Sequence, residues 1–142
     1  AFFGEKDFQQ LQVVRRLVAD LDIPVAIIGC PTVREEDGLA MSSRNLRLSA
    51  SERAIAPILA RQLFQAADKI VAGEPIAQCL NRARSCILEQ GFQSVEYLEL
   101  CDEYKLIPLV KADQPTRILS AVWLGGIRLI DNVIVTKTEA SK

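Results

Sequence analysis

The first thirty residues constrain the fold more than any other stretch. Phe8, Leu11, Val14, Val18 and Leu21 recur at spacings of three and four, with Arg15, Arg16 and Asp20 on other faces, so the pattern predicts an amphipathic helix over residues 7–21. Asp7 stands where an N-cap or first-turn acid belongs. After the break Asp22-Ile23-Pro24 comes Val25-Ala26-Ile27-Ile28-Gly29, an apolar, β-branched run expected of a parallel strand buried on both faces. Ala1-Phe2-Phe3-Gly4 reads as the end of another strand. Strand end, helix and strand form the tail of a βαβ unit, which predicts a doubly wound sheet. The opening lacks Met and places two aromatics at the start, so we expect the sequence to begin partway through a larger protein.

Residues 31–48 change character. Pro31-Thr32-Val33-Arg34-Glu35-Glu36-Asp37-Gly38 is polar and without period, and Leu39-Ala40-Met41-Ser42-Ser43-Arg44-Asn45 follows. A connection this long is expected to be functional or disordered. Ser49-x-x-Glu52 is a capping box opening a helix over about 50–72, which Pro57 should kink or break and Gly73 should end. Pro75 is expected in the first turn of a second helix, with Ile76, Leu80, Ala83 and Ile87 down one face and Gly91 as its stop. The chain then turns to period two. Strands are expected near 95–100, 117–124 and 127–135, with Gly125-Gly126 as a tight hairpin. Residues 33–142 thus predict a small α+β domain with a three-stranded antiparallel sheet.

Composition excludes several function classes. The 142 residues carry 17 basic and 18 acidic side chains, a net charge of −1, which gives no surplus for gripping a nucleic-acid backbone. No segment reaches the roughly 20 apolar residues that span a bilayer, so no membrane partner is expected. Histidine is absent, which removes Ser-His-Asp and Cys-His arrangements. Cys30, Cys79, Cys86 and Cys101 form no C-x-x-C pair, and we expect buried or half-buried reduced thiols and no metal site. Trp123 is expected in the core, and the acid pairs Glu35-Glu36 and Asp102-Glu103 in solvent.

Two clusters can carry chemistry. In Gly4-Glu5-Lys6-Asp7-Phe8-Gln9-Gln10, a glycine admits a ligand close to the backbone at a helix N-terminus, Lys6 adds positive charge, and Asp7 and Gln10 share a face. The alternative is an ordinary capped helix with surface charges. In Met41-Ser42-Ser43-Arg44-Asn45, two hydroxyls and a guanidinium suit a polyphosphate. Its alternative is a polar loop that merely precedes a helix.

These two clusters, with Pro31-Thr32-Val33-Arg34-Glu35, Asp37-Gly38-Leu39-Ala40 and the tail segments Val95-Glu96-Tyr97-Leu98-Glu99-Leu100 and Arg128-Leu129-Ile130-Asp131-Asn132, resemble the C-terminal half of the pantothenate synthetase (pantoate–β-alanine ligase) family in order and spacing. The resemblance implies an α/β fold: residues 1–32 as the end of a Rossmann-like nucleotidyl-transferase domain of the HIGH/KMSKS type, and residues 33–142 as a lid domain carrying a KMSKS-like loop. It implies ATP-dependent joining of pantoate to β-alanine through a pantoyl adenylate, releasing AMP and pyrophosphate, with Mg²⁺ bound through ATP. By the same resemblance Gly4 and Asp7 would contact the ribose, Lys6 a phosphate, Gln10 pantoate and Val33 the adenine. Met41, Ser42, Ser43 and Arg44 would belong to the loop over the β- and γ-phosphates. A cytoplasmic homodimer joined through the other half is implied too. The departure is the family's HIGH-type motif with two histidines, which this sequence does not contain. An isolated chain is therefore expected to be inactive, and a non-catalytic interaction or regulatory module is the competing reading.

Overall fold

The computed structural model describes residues 1–112 and 114–135. Strand β1 (Phe2–Gly4), helix α1 (Phe8–Asp20) and strand β2 (Ile28–Cys30) form the expected βαβ unit. β1 and β2 pair in parallel, Phe2 with Ile28 and Gly4 with Cys30. Asp7 caps α1, its carboxylate accepting the Gln10 backbone N–H at 3.1 Å. Two expectations change here. The second strand is short, and Val25 and Ile28 are exposed instead of buried on both faces. In α1 only Phe8 and Leu11 are buried, because a second layer covers just the start of the helix; Val13, Leu17 and Leu21 face outward.

Residues 33–41 form a small β-turn structure, unlike the irregular loop expected. Arg34 bridges Ala40, the Met41 N–H donates to the Val33 carbonyl at 2.9 Å, and Gly38 turns the chain at φ 95°. Leu39 and Ala40 are buried, which anchors the turn in the core and explains its order. A short 3-10 turn follows over Ser43–Arg47. The predicted long helix breaks at Pro57 into α2 (Ala50–Ile55) and α3 (Ile58–Val71). Both bonds of the capping box are present: Ser49 Oγ accepts the Glu52 N–H, and the Glu52 carboxylate accepts the Ser49 N–H. Ser49→Ala removes half of this reciprocal pair and is expected to lower stability by about 1 kcal/mol, read from the urea unfolding midpoint.

Helix α4 (Ile76–Glu89) begins one residue after Pro75, which occupies the cap position and not the first turn. At its end Gly91, at φ 116°, lets the Gly91 and Phe92 N–H groups reach back to the Leu88 and Ile87 carbonyls. Strands β3 (Ser94–Asp102), β4 (Thr116–Leu124) and β5 (Ile127–Val135) make the antiparallel sheet in the order β3-β4-β5. The Gly125-Gly126 hairpin has positive φ at both residues (56° and 78°), as a two-residue turn with the native strand twist requires.

The sheet separates two cores. On one face Ile118, Val122, Leu124, Leu129 and Val133 meet Leu59, Leu63, Ile70 and Ile87 of α3 and α4. On the other, Leu119 and Cys101 meet Phe8 and Leu11 of α1. Trp123 is half-buried near the hairpin end of the central strand β4, and its indole N–H donates to Glu96 at 3.2 Å. An indole that needs a partner for its N–H stays within reach of polar surface, which corrects its expected core placement.

Candidate functional site

The candidate site is organised by strand β5, which holds both predicted clusters. Asn132 is buried, and its amide donates to the backbone carbonyls of Glu5 and Lys6, both at 2.8 Å. These bonds tie the β1–α1 turn to the sheet. Four residues earlier, the Arg128 carbonyl accepts from Arg44 at 3.2 Å, which ties down the 3-10 turn. Ser42 caps that turn, its hydroxyl accepting the Arg44 N–H at 3.2 Å. Asn45 donates to the Ala40 carbonyl at 3.0 Å, joining the turn to the buried end of the 33–41 structure.

Lys6 and Arg44 are thereby brought into the same electrostatic neighbourhood. Burial pushes the Lys6 ammonium below the usual lysine range; the nearby Arg44 charge pushes the same way, while Asp131 and Asp7 oppose it. Lys6 is half-buried and Arg44 exposed, and two cations within each other's field gain from an anion placed near them. A narrow cleft at this point is lined by Lys6, Asp7, Tyr97, Ser120, Asp131 and Asn132, among others. Gly4 borders open space, since a Cβ there would meet no atom within 4 Å. That leaves room for a ligand against the backbone. Gln10 is exposed one helical turn on from Asp7.

The remaining predicted residues lie nearby or face outward. Val33 and Met41 are neighbours through their backbone bond, and both side chains are exposed. Ser43 is exposed in the first position of the 3-10 turn. Asp7 and Arg44 thus lie within the electrostatic field of Lys6, while the Val33, Met41 and Gln10 side chains are exposed to solvent.

Four residues, Asn132, Asp131, Arg34 and Arg117, shape the site without having been assigned a role from the sequence. Asp131 is buried and holds Arg34 through two bonds of 2.7 and 2.8 Å, and Arg34 also donates to the Gly38 carbonyl and lies 5.0 Å from the Phe64 ring centre. Arg117 is buried and donates to Asn132 at 2.8 Å. The signal was available: Asp131-Asn132 interrupts a strand whose only other polar residue is Arg128, and buried polar side chains need partners.

Asp102 corrects another expectation. It is buried, not solvated, and accepts N–H bonds from Tyr104, Lys105 and Ile107 at 3.0, 2.8 and 3.0 Å. Those bonds, that from Lys105 foremost, hold its carboxyl below the usual range. A carboxyl depressed in the folded state stabilises the protein above its unfolded pKa of about 4, and the contribution fades as pH falls through the lower folded value. Asp102→Asn is expected to cost about 1–3 kcal/mol at pH 7 and to flatten the loss of stability below about pH 4, measured by urea unfolding across pH. The cysteines fit expectation. Cys79 and Cys101 are buried, Cys30 and Cys86 half-buried, all four are free thiols, and burial pushes Cys101 up to about 11.

Known proteins place this geometry in a family context. A family model described as pantoate-beta-alanine ligase matches residues 1–134. The pantothenate synthetase of Chelativorans sp. (strain BNC1) is 61% identical over 137 residues, covering 96% of this chain and 48% of the relative. The pantothenate synthetase of Paracoccus denitrificans (strain Pd 1222) is 55% identical over 136 residues, again covering 48% of the relative. Among solved structures, pantothenate synthetase from Thermus thermophilus superposes with a TM-score of 0.88 at 44% identity, over 95% of this chain and 49% of the other. Pantoate-beta-alanine ligase from Francisella tularensis, complexed with beta-gamma ATP and beta-alanine, superposes with a TM-score of 0.66 at 31% identity, over 94% of this chain and 42% of the other. The chain spans about half the length of the curated relatives it matches.

Proposed function

The chain belongs to the pantoate–beta-alanine ligase family, and on that premise we propose that it supplies the phosphate-gripping half of an ATP-dependent ligase joining pantoate to β-alanine. The observation that carries this reading is the convergence of Lys6 and Arg44, from clusters nearly forty residues apart, on strand β5. In the proposed reaction the pantoate carboxylate attacks the α-phosphorus of ATP. Pyrophosphate leaves and a pantoyl adenylate forms. The amine of β-alanine then attacks the acyl carbon and AMP departs.

This chain's residues serve the first step by placing charge. Lys6 would meet a phosphate oxygen, and Ser42, Ser43 and Arg44 would hold the β- and γ-phosphates as charge moves onto the leaving pyrophosphate. Gly4 and Asp7 would border the ribose, Val33 the adenine and Gln10 pantoate, with Met41 at the head of the loop over the phosphates. The described residues hold no cluster of three Asp, Glu, Cys or His side chains able to hold a metal ion, so Mg²⁺ would travel on the phosphates of ATP. Residues 1–32 would complete the Rossmann-like domain and residues 33–142 act as its lid. The family's histidine-bearing segment would stabilise the α-phosphate, and without it the chain would be inactive. The whole enzyme would be a cytoplasmic homodimer joined through that other half; no helix among the described residues is long and apolar enough to cross a membrane.

A pantoate- and β-alanine-dependent AMP-release assay tests the proposal on this chain alone and on the chain joined to a histidine-bearing N-terminal half. Release from the joined protein alone is expected. Activity of the chain by itself refutes the need for the histidines, and inactivity of both refutes the ligase reading. The latter result would favour the interaction-module alternative.

A further inference from the structure

Lys6 must be held still to serve a phosphate, yet a strand-to-helix turn is a flexible place for a cation. The side chains behind it form a chain of fixed contacts. Asn132 donates to both the Glu5 and Lys6 carbonyls. Its oxygen accepts from Arg117 Nη1 at 2.8 Å, and since a guanidinium can only donate, this bond dictates which end of the amide faces the turn. Arg117 is itself confined. Its guanidinium carbon sits 4.0 Å from the centre of the Phe8 ring, and Nη2 donates to Glu103 at 3.1 Å. Glu5 lies 3.8 Å away as a further counter-charge. Arg117 Nε is buried without a partner, so contacts through the Nη groups and the ring set the side chain's place.

We propose that Asn132, oriented by Arg117, is a positioning residue for Lys6. One guanidinium touches Glu5 and Phe8 on either side of Lys6-Asp7, and the amide it orients grips the carbonyls of Glu5 and Lys6. The turn therefore has little freedom to carry the ammonium away from the cleft. The inference rests on reading Lys6 as a phosphate contact. A near-isosteric change distinguishes positioning from mere packing. Asn132→Asp keeps the volume and gives Arg117 a carboxylate partner, but it replaces the amide donor with an acceptor facing two carbonyl oxygens.

The test is a kinetic double-mutant cycle in the full-length ligase carrying this sequence, with AMP release as readout. Asn132→Asp is expected to lower kcat about tenfold or more when Lys6 is present, because small misplacements of a contacting group are costly. In the Lys6→Met background the same change is expected to lower it less than about twofold, because the group it positions is gone. Equal losses in both backgrounds would mean a purely structural role and overturn the proposal, as would no loss beside Lys6. If Lys6→Met by itself costs nothing, the phosphate-contact reading fails and takes this inference with it, a result distinct from the other two. Should Asn132→Asp not fold, Arg117→Lys takes its place in the same cycle. It keeps the charge beside Glu5 and Glu103 while losing the planar fork and the stacking on Phe8, and the same pattern of unequal losses is expected.

Discussion

Lys6→Met in the joined ligase is expected to lower kcat for AMP release by a factor on the order of 10²–10³, the loss typical of removing one preorganised donor to a developing charge. The KM for pantoate should change far less, because the ammonium is proposed to act on phosphate. Lys6→Arg keeps the charge and should recover part of the rate. The pH profile carries a second signature. Burial first, and Arg44 after it, lower the Lys6 pKa in the free protein. Since the protonated form is the one required, kcat/KM should fall as pH rises through a value below the ordinary lysine pKa of about 10.4. Lys6→Arg should remove that limb, because a guanidinium keeps its proton throughout the range. A loss in kcat of less than about tenfold for Lys6→Met would exclude a direct role at the phosphates.

The largest expected effect on stability comes from Asp131. Its carboxylate is buried and holds Arg34 in a two-bond pair, with the Asn132 N–H as a third partner at 2.7 Å. Asp131→Ala leaves a partly buried guanidinium whose chief counter-charge is gone, and breaking one side of such a pair costs about 3–5 kcal/mol. That is a large fraction of the roughly 5–15 kcal/mol of a whole domain. Replacing both partners with apolar side chains, Arg34→Met with Asp131→Leu, should be milder, since no unpaired charge remains. Urea unfolding of the single and double variants decides it. A cost below about 1 kcal/mol for Asp131→Ala would mean that Arg34 is solvated and that the pair does not fasten the 33–41 structure to β5.

How much of this was legible beforehand depended on the range of the forces involved. Local signals were read well. The Ser49 capping box, the break at Pro57, the Gly91 stop and the Gly125-Gly126 hairpin each depend on residues within a few positions of one another. The two clusters were legible as residue types suited to phosphate. Their meeting was not. It depends on β5, more than eighty residues beyond either cluster, whose backbone and Asn132 side chain hold them in place.

The failures share one cause. Asp102 and Trp123 were misplaced because polarity and strand spacing cannot say which neighbour supplies a hydrogen bond; three backbone N–H groups offset the cost of burying Asp102, and Glu96 of the neighbouring strand accepts the Trp123 indole N–H where the side chain is half-buried. Residues 31–48 looked irregular because the order of 33–41 comes from distant partners: the core that buries Leu39 and Ala40, and Asp131, nearly a hundred residues along the sequence from Arg34. The sequence by itself determined the order of elements, the turns and caps, and the residue types of the two polar clusters, because these follow from backbone preference, nearest-neighbour hydrogen bonding and composition. Only the tertiary structure decided which buried polar groups pair across the sheet, and so where Lys6 stands, because each such pairing joins residues that lie far apart along the chain.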